Sequence, residues 1–235
     1  AEAHHIPVYH PRSDWVTSVQ QQPFDYFFSI ANLSIIPDSV LALRRQMAIN
    51  FHDGPLPRYA GLNATSWAIL NQETEYGITW HEMVAELDKG RILQQRRFPL
   101  ASDETAFTLN ARCYTEAAAS FAELIDDLST GQLSPQPQDF AQRTYFGKNQ
   151  RPFAAANLRW SQSAEELSAL VRALTFGPVA NRLTLPKIRG LLVGQLAITT
   201  TPSQQAPGII THITADGVQV ATTTYDVILS QFRTL

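Results

Sequence analysis

Met47-Ala48-Ile49-Asn50-Phe51-His52-Asp53-Gly54-Pro55-Leu56-Pro57-Arg58-Tyr59-Ala60-Gly61 organises the chain. A short apolar run carries an amide and an imidazole two residues apart, then meets a Pro/Gly loop that cannot continue as regular structure. Side chains at i and i+2 of a strand share a face, so Asn50 and His52 point together toward the strand's C-terminal edge. The pair suits acyl chemistry: a neutral amide donates to a carbonyl oxygen as it gains charge, and an imidazole handles protons near neutral pH. Taken singly, the pieces have plainer explanations. A lone histidine after a strand is commonly structural or solvated, Asp53-Gly54 is by itself a turn, and residues 55–57 by themselves form a rigid connector.

Downstream, Gly77-Ile78-Thr79-Trp80-His81-Glu82-Met83 reads as another strand. Val84 to Leu93 then supplies a loop with one inward acid, Asp88, and the start of a further strand. From Asn32 to Leu93 the chain resembles the catalytic half of the folate-dependent formyltransferases, the superfamily that includes methionyl-tRNA, glycinamide ribonucleotide and sugar-nucleotide formyltransferases. Three separate runs carry the resemblance: Asn50-Phe51-His52, Leu56-Pro57-Arg58-Tyr59-Ala60-Gly61, and Leu87-Asp88-Lys89-Gly90-Arg91-Ile92.

The resemblance implies an α/β fold: a Rossmann-like parallel or mixed sheet over residues 1–131, a linker over 132–149, and a small C-terminal β-barrel-like (OB-like) domain over 150–235. It also implies an enzyme, in which an acceptor amine attacks the formyl carbon of 10-formyltetrahydrofolate. In that reading Asn50 orients the formyl oxygen, His52 stabilises the oxyanion and assists proton transfer, and Asp88 fixes the His52 ring. No metal is required. The pterin of the folate is expected against the backbone of Ser34, Ile35 and Ile36, with Met83 and Leu87 on its other side. The loop carrying Asp53, Gly54 and Arg58 borders the acceptor. Asp53 either receives a protonated amine or is a turn residue.

The acceptor is read from Asp53-Gly54-Pro55-Leu56-Pro57, Gly61 to Trp67, and Thr79 to Met83. Together these look most like the formylation domains of nonribosomal peptide synthetases, which act on an aminoacyl group held by a carrier protein. That likeness implies carrier-protein and fused synthetase partners. Sugar-nucleotide and methionyl-tRNA formyltransferases are the rival readings, and a catalytically idle folate-binding or docking module is the non-enzymatic one.

Composition narrows the field. The 235 residues are 44% hydrophobic and 17% charged, an ordinary globular balance able to bury a full core. A net charge of −3 gives no general pull on nucleic acid, although Arg143, Lys148 and Arg151 could form a local basic face. The single cysteine, Cys113, has no partner for an internal disulfide and suits a reducing compartment. No run approaches a membrane span and the first residues carry no secretory pattern, so a cytoplasmic location is expected. His4, His5 and His10 match no dependable zinc spacing.

In chain order, residues 1–5 read as a helix end and Ile6 to Tyr9 as a short strand. Ser13-Asp14 caps a helix through about Gln22. The aromatic run Phe24 to Ala31 is expected centrally in a parallel sheet, and Pro37-Asp38 opens a helix. The resemblance implies an opening strand, helix and strand ahead of Ile6, most of which is expected to be missing here, and a last strand or a downstream fused domain is expected beyond Leu235. A long helix from Glu104 to about Leu128 presents Phe107, Ala111, Tyr114, Ala118, Phe121, Ile125 and Leu128 as its apolar stripe. Gln132 to Gln138 reads as a Pro/Gln-rich linker. Ser163-Ala164-Glu165-Glu166 is a capping box, and β segments follow over 190–199, 208–214 and 218–223, the last two joined at Asp216-Gly217.

Overall fold

The computed structural model describes Val8 and residues 15–21, 24–43 and 45–234. The expected opening helix end, the strand at Ile6 to Tyr9, the Ser13-Asp14 cap and the three N-terminal histidines lie outside the described residues, apart from Val8.

Short helices α1 (Trp15–Gln20) and α2 (Asp38–Leu41) flank β1 (Tyr26–Ser29). Then come β2 (Met47–His52), β3 (Ala60–Gly61), α3 (Ala64–Leu70), β4 (Glu75–Glu82), β5 (Ile92–Pro99) and the long α4 (Ala106–Thr130). The main sheet has the order β1-β2-β4-β5. Its β1–β2 pair is parallel and the other two pairs are antiparallel. This is the expected mixed α/β sheet. Among the described residues β1 pairs with β2 and ends the order. Its aromatics pack along one flank, Phe28 edge-on against Phe121 at 5.4 Å.

The two faces of β2 divide the labour. Phe51 packs on Trp80 and Tyr114, at 5.3 and 5.7 Å between ring centroids, on the side that α4 covers. Asn50 and His52 face the other way. The buried side of α4 is Ala106, Leu109, Cys113, Ala117, Ser120 and Leu124, which corrects the stripe read from the sequence. Phe107, Tyr114 and Ile125 remain substantially exposed. Small residues let the helix approach the sheet closely, and Ser120 Oγ accepts a 2.9 Å hydrogen bond from the Trp80 indole. The larger side chains fan out along the flanks, with Phe107 edge-on to Phe176.

The segment expected to be a linker is docked. Gln136 exchanges two 2.8 Å backbone hydrogen bonds with Ile92, and β6 (Tyr145–Phe146) pairs in parallel with β3. Phe146 stacks between Tyr59 and Trp67, at 5.5 and 4.7 Å. The chain then enters α5 (Ala164–Leu174), whose Ser163/Glu166 capping box forms as read. Helix α5 packs on α3, joining the lobes.

The remainder is antiparallel: β7 (Lys187–Ile188), β8 (Leu191–Leu192), β9 (Gln195–Pro202), β10 (Ile210–Thr214), β11 (Gly217–Val220), β12 (Tyr225–Ser230) and β13 (Arg233–Thr234). They form the sheets β10-β11-β12-β9 and β13-β8-β7. Strand β12 escapes the sequence reading because Asp226 interrupts its apolar run. The carboxylate is buried, and it is satisfied by Ser203, by Thr211 at 3.1 Å and by Gln219 at 2.7 Å. Burial pushes its pKa up, but those bonds hold it below the usual value.

Candidate active site

The Pro/Gly loop after β2 is held from below. Thr79 Oγ1 donates to Gly54 O at 2.7 Å and accepts from Leu56 N at 3.1 Å. Gln95 donates to Leu56 O at 2.8 Å, and the Tyr76 hydroxyl donates to Asp53 O at 2.9 Å. With the loop fixed, the Tyr59 carbonyl lies 2.8 Å from His52 Nε2. A carbonyl only accepts, so Nε2 carries the proton, leaving Nδ1 of the neutral ring free to take one.

Asn50 faces His81 directly across the β2–β4 ladder. Its Nδ2 lies 3.1 Å from His81 Nε2 and donates to Phe51 O at 3.1 Å. His81 Nδ1 lies 2.7 Å from Glu82 O and therefore carries the ring proton, so Nε2 accepts from the amide. Burial, and then the neighbouring His52, lower the His81 pKa from 6.5 to about 4 against the opposing pull of Asp88.

Asp88 corrects one expectation. Its carboxylate forms no ion pair with His52 among the described residues. One oxygen lies 3.6 Å from His81 Nε2, and the other accepts from Gly61 N at 2.8 Å. His81 stands between the acid and the Asn50 amide because it occupies the register position opposite Asn50. The alternation of Thr79 and His81 along β4 was the signal that could have singled this residue out.

These groups open on a cavity of about 800 Å³, within the range of small-molecule sites. Asn50, His52, Asp53 and Asp88 line it, as do Ser34, Ile35, Ile36, Met83 and Leu87. Ile35 and Leu87 are 81% and 57% exposed, so they form an open apolar rim to the cavity. The Asp53 carboxylate accepts from Asn110 at 3.3 Å, and Asn110 and Asn181 also line the space, unforeseen by the sequence. Arg58 is placed elsewhere. It pairs with Glu73 and leans over the Tyr59 ring, outside the cavity lining. Gly54 contributes backbone behind the His52 ring and is also outside the lining. Of the three basic residues that could have formed a local face, Arg143 donates to Leu87 O and Asp88 O, Arg151 donates to Lys148 O and Gln150 O, and Lys148 lines the cavity.

Among the described residues no group of three or more His, Cys, Asp or Glu could hold a metal ion, and no helix is long and apolar enough to cross a membrane. Cys113 is fully buried in the core, with its thiol pKa pushed up by desolvation.

Family comparisons agree with this architecture. Residues 8–125 match the formyl transferase family model, and residues 154–234 match the model of the formyl transferase C-terminal domain. The chain is 35% identical over 219 residues to methionyl-tRNA formyltransferase of Acidithiobacillus ferrooxidans, covering 92% of this chain and 69% of the relative. This chain belongs to the folate-dependent formyltransferase family. Among solved structures, an N-formyltransferase from Helicobacter canadensis, in complex with folinic acid and dTDP-3-aminofucose, superposes with a TM-score of 0.70 at 20% identity. That match covers 88% of this chain and 73% of the other. HypX from Aquifex aeolicus, in complex with tetrahydrofolic acid, gives 0.67 at 22% identity over 89% of this formyltransferase and 36% of HypX.

Proposed function

We propose that this formyltransferase moves a formyl group from 10-formyltetrahydrofolate to an acceptor amine. The observation carrying the proposal is the convergence of Asn50, His52 and Asp88, with His81 between them, on one cavity. The amine nitrogen attacks the formyl carbon, the formyl oxygen becomes an alkoxide, and the bond to the folate nitrogen breaks as that nitrogen gains a proton. The Asn50 amide and the His52 N–H turn from their present carbonyl partners to hold the alkoxide. His52 carries the amine proton toward the leaving nitrogen, and Asp88 supports the positive charge of the passing proton. The folate ring lies along Ser34, Ile35 and Ile36 with Met83 and Leu87 opposite, while Asp53 faces the incoming amine.

For the acceptor we propose an aminoacyl group tethered to a carrier protein of a peptide synthetase, in the cytoplasm. Support comes from the run Thr79 to Met83 and from a net charge of −3, which offers little to a polyanion. Methionyl-tRNA is the second reading, favoured by the 35% identity to a methionyl-tRNA formyltransferase. The test incubates the protein with 10-formyltetrahydrofolate and, separately, aminoacyl carrier proteins, amino-sugar nucleotides and methionyl-tRNA, scoring formylated product by mass. Product on the carrier protein supports the proposal, product only on RNA or sugar replaces the acceptor, and folate binding without product from any acceptor overturns the enzymatic reading.

A further inference from the structure

We infer that the strap between the lobes, through Gln138 and Arg143, is a positioning element for Asp88. Asp88 has φ of 55°, a left-handed conformation that costs a non-glycine residue energy and is held only if its surroundings impose it. The surroundings are the strap. Gln138 Nε2 donates to Asp88 O at 2.9 Å and to Gly90 O at 2.7 Å, and Arg143 donates to Asp88 O at 3.2 Å and Leu87 O at 3.1 Å. Four donor contacts thus meet the carbonyls of Leu87, Asp88 and Gly90, around the residue whose carboxylate enters the cavity.

The hold is double. Past Arg143 the strap becomes β6, paired with β3, and β3 supplies the Gly61 N–H that binds the Asp88 carboxylate. Gln138 is buried and its Oε1 has no partner, a cost the two Nε2 bonds must outweigh. The placement of the acid therefore depends on residues about 50 positions downstream. This inference rests on the role proposed for Asp88.

The test uses Gln138→Met, which keeps the side-chain length and removes the donors, and Arg143→Met as an independent second variant. Formyl transfer is measured with the acceptor that yields product in the panel above, and Gly61 amide hydrogen exchange is followed by NMR. We expect kcat to fall between about tenfold and a hundredfold, the cost of an ångström-scale misplacement, with KM for folate changed by less than about threefold. The Gly61 amide should exchange faster while the amide of Ile78, in the middle of β4, keeps its protection; a general loss of stability would move both. In an Asp88→Asn background the strap variants should cost nothing further. Unchanged kcat with unchanged Gly61 exchange in both variants, or a full additional loss in the Asp88→Asn background, overturns the inference. Full activity in Asp88→Asn itself would remove the role assigned to the acid, while the Gly61 exchange would still report whether the strap holds it.

Discussion

His81 Nε2 lies 3.1 Å from the Asn50 amide nitrogen, and the two residues are direct partners across β2 and β4. Because His81 Nδ1 is committed to the Glu82 carbonyl, the free ring nitrogen can only accept, and this fixes which end of the Asn50 amide faces inward. Replacing His81 by Phe keeps most of the volume and removes the acceptor. Formyl transfer by His81→Phe should fall at least about tenfold in kcat, with folate affinity little changed. Steady-state kinetics check this, and equal kcat would show that Asn50 is oriented without His81.

The same ring sets an acid limit. The folded protein holds His81 near a pKa of about 4, whereas the unfolded chain has the ordinary 6.5. The unfolded state therefore takes up this proton first as pH falls, so the stability contributed by the neutral ring is complete above about 6.5 and is lost as pH drops toward 4. For a nearly inaccessible group the loss is on the order of 3 kcal/mol. Urea unfolding at pH 7 and pH 4.5 should show that decline in the wild type and a shallower one in His81→Gln. Parallel slopes would locate the acid sensitivity elsewhere.

The core of this site was legible because Asn50 and His52 alternate on a strand and a Pro/Gly loop must end it, both consequences of local backbone geometry. That His81 rather than His52 lies beside Asp88 was not legible. It depends on the β2–β4 register, a non-local pairing that sets His81 opposite Asn50. The long helix was found but its face was misread, since hydrophobicity favoured Phe107 and Tyr114 while close approach to the sheet selected Ala106, Cys113 and Ala117. Gln132 to Gln138 carried a linker's composition, yet Gln136 and Gln138 spend their polar groups on the β5 edge and the Asp88 loop. Composition does not reveal which backbone groups a glutamine will meet.

Arg58 offers a test of the acceptor loop. The sequence assigned it to the acceptor, but its guanidinium pairs with Glu73, which also accepts from the Tyr59 hydroxyl at 2.6 Å. Arg58→Ala should leave the acceptor KM within about twofold, and because the pair is partly solvated it should cost at most about 1 kcal/mol of stability. A tenfold or greater rise in acceptor KM would return Arg58 to the binding surface.

Gly54 is the most economical probe of the His52 ring. A Cβ added there would sit 2.9 Å from His52 Nε2 and 3.1 Å from Tyr59 O, inside the very hydrogen bond that holds the imidazole. The residue's φ lies outside the left-handed region, so the effect of alanine is steric and falls on the ring. At Gly147 the nearest atom to a new Cβ is Tyr145 Cε1 at 3.5 Å, an ordinary contact, which makes Gly147→Ala a matched control. Gly54→Ala should lower kcat by about tenfold or more while Gly147→Ala leaves it unchanged, with both proteins keeping wild-type circular dichroism. If Gly54→Ala turns over at the wild-type rate, the space around the His52 ring and its resting contact with Tyr59 do not govern turnover.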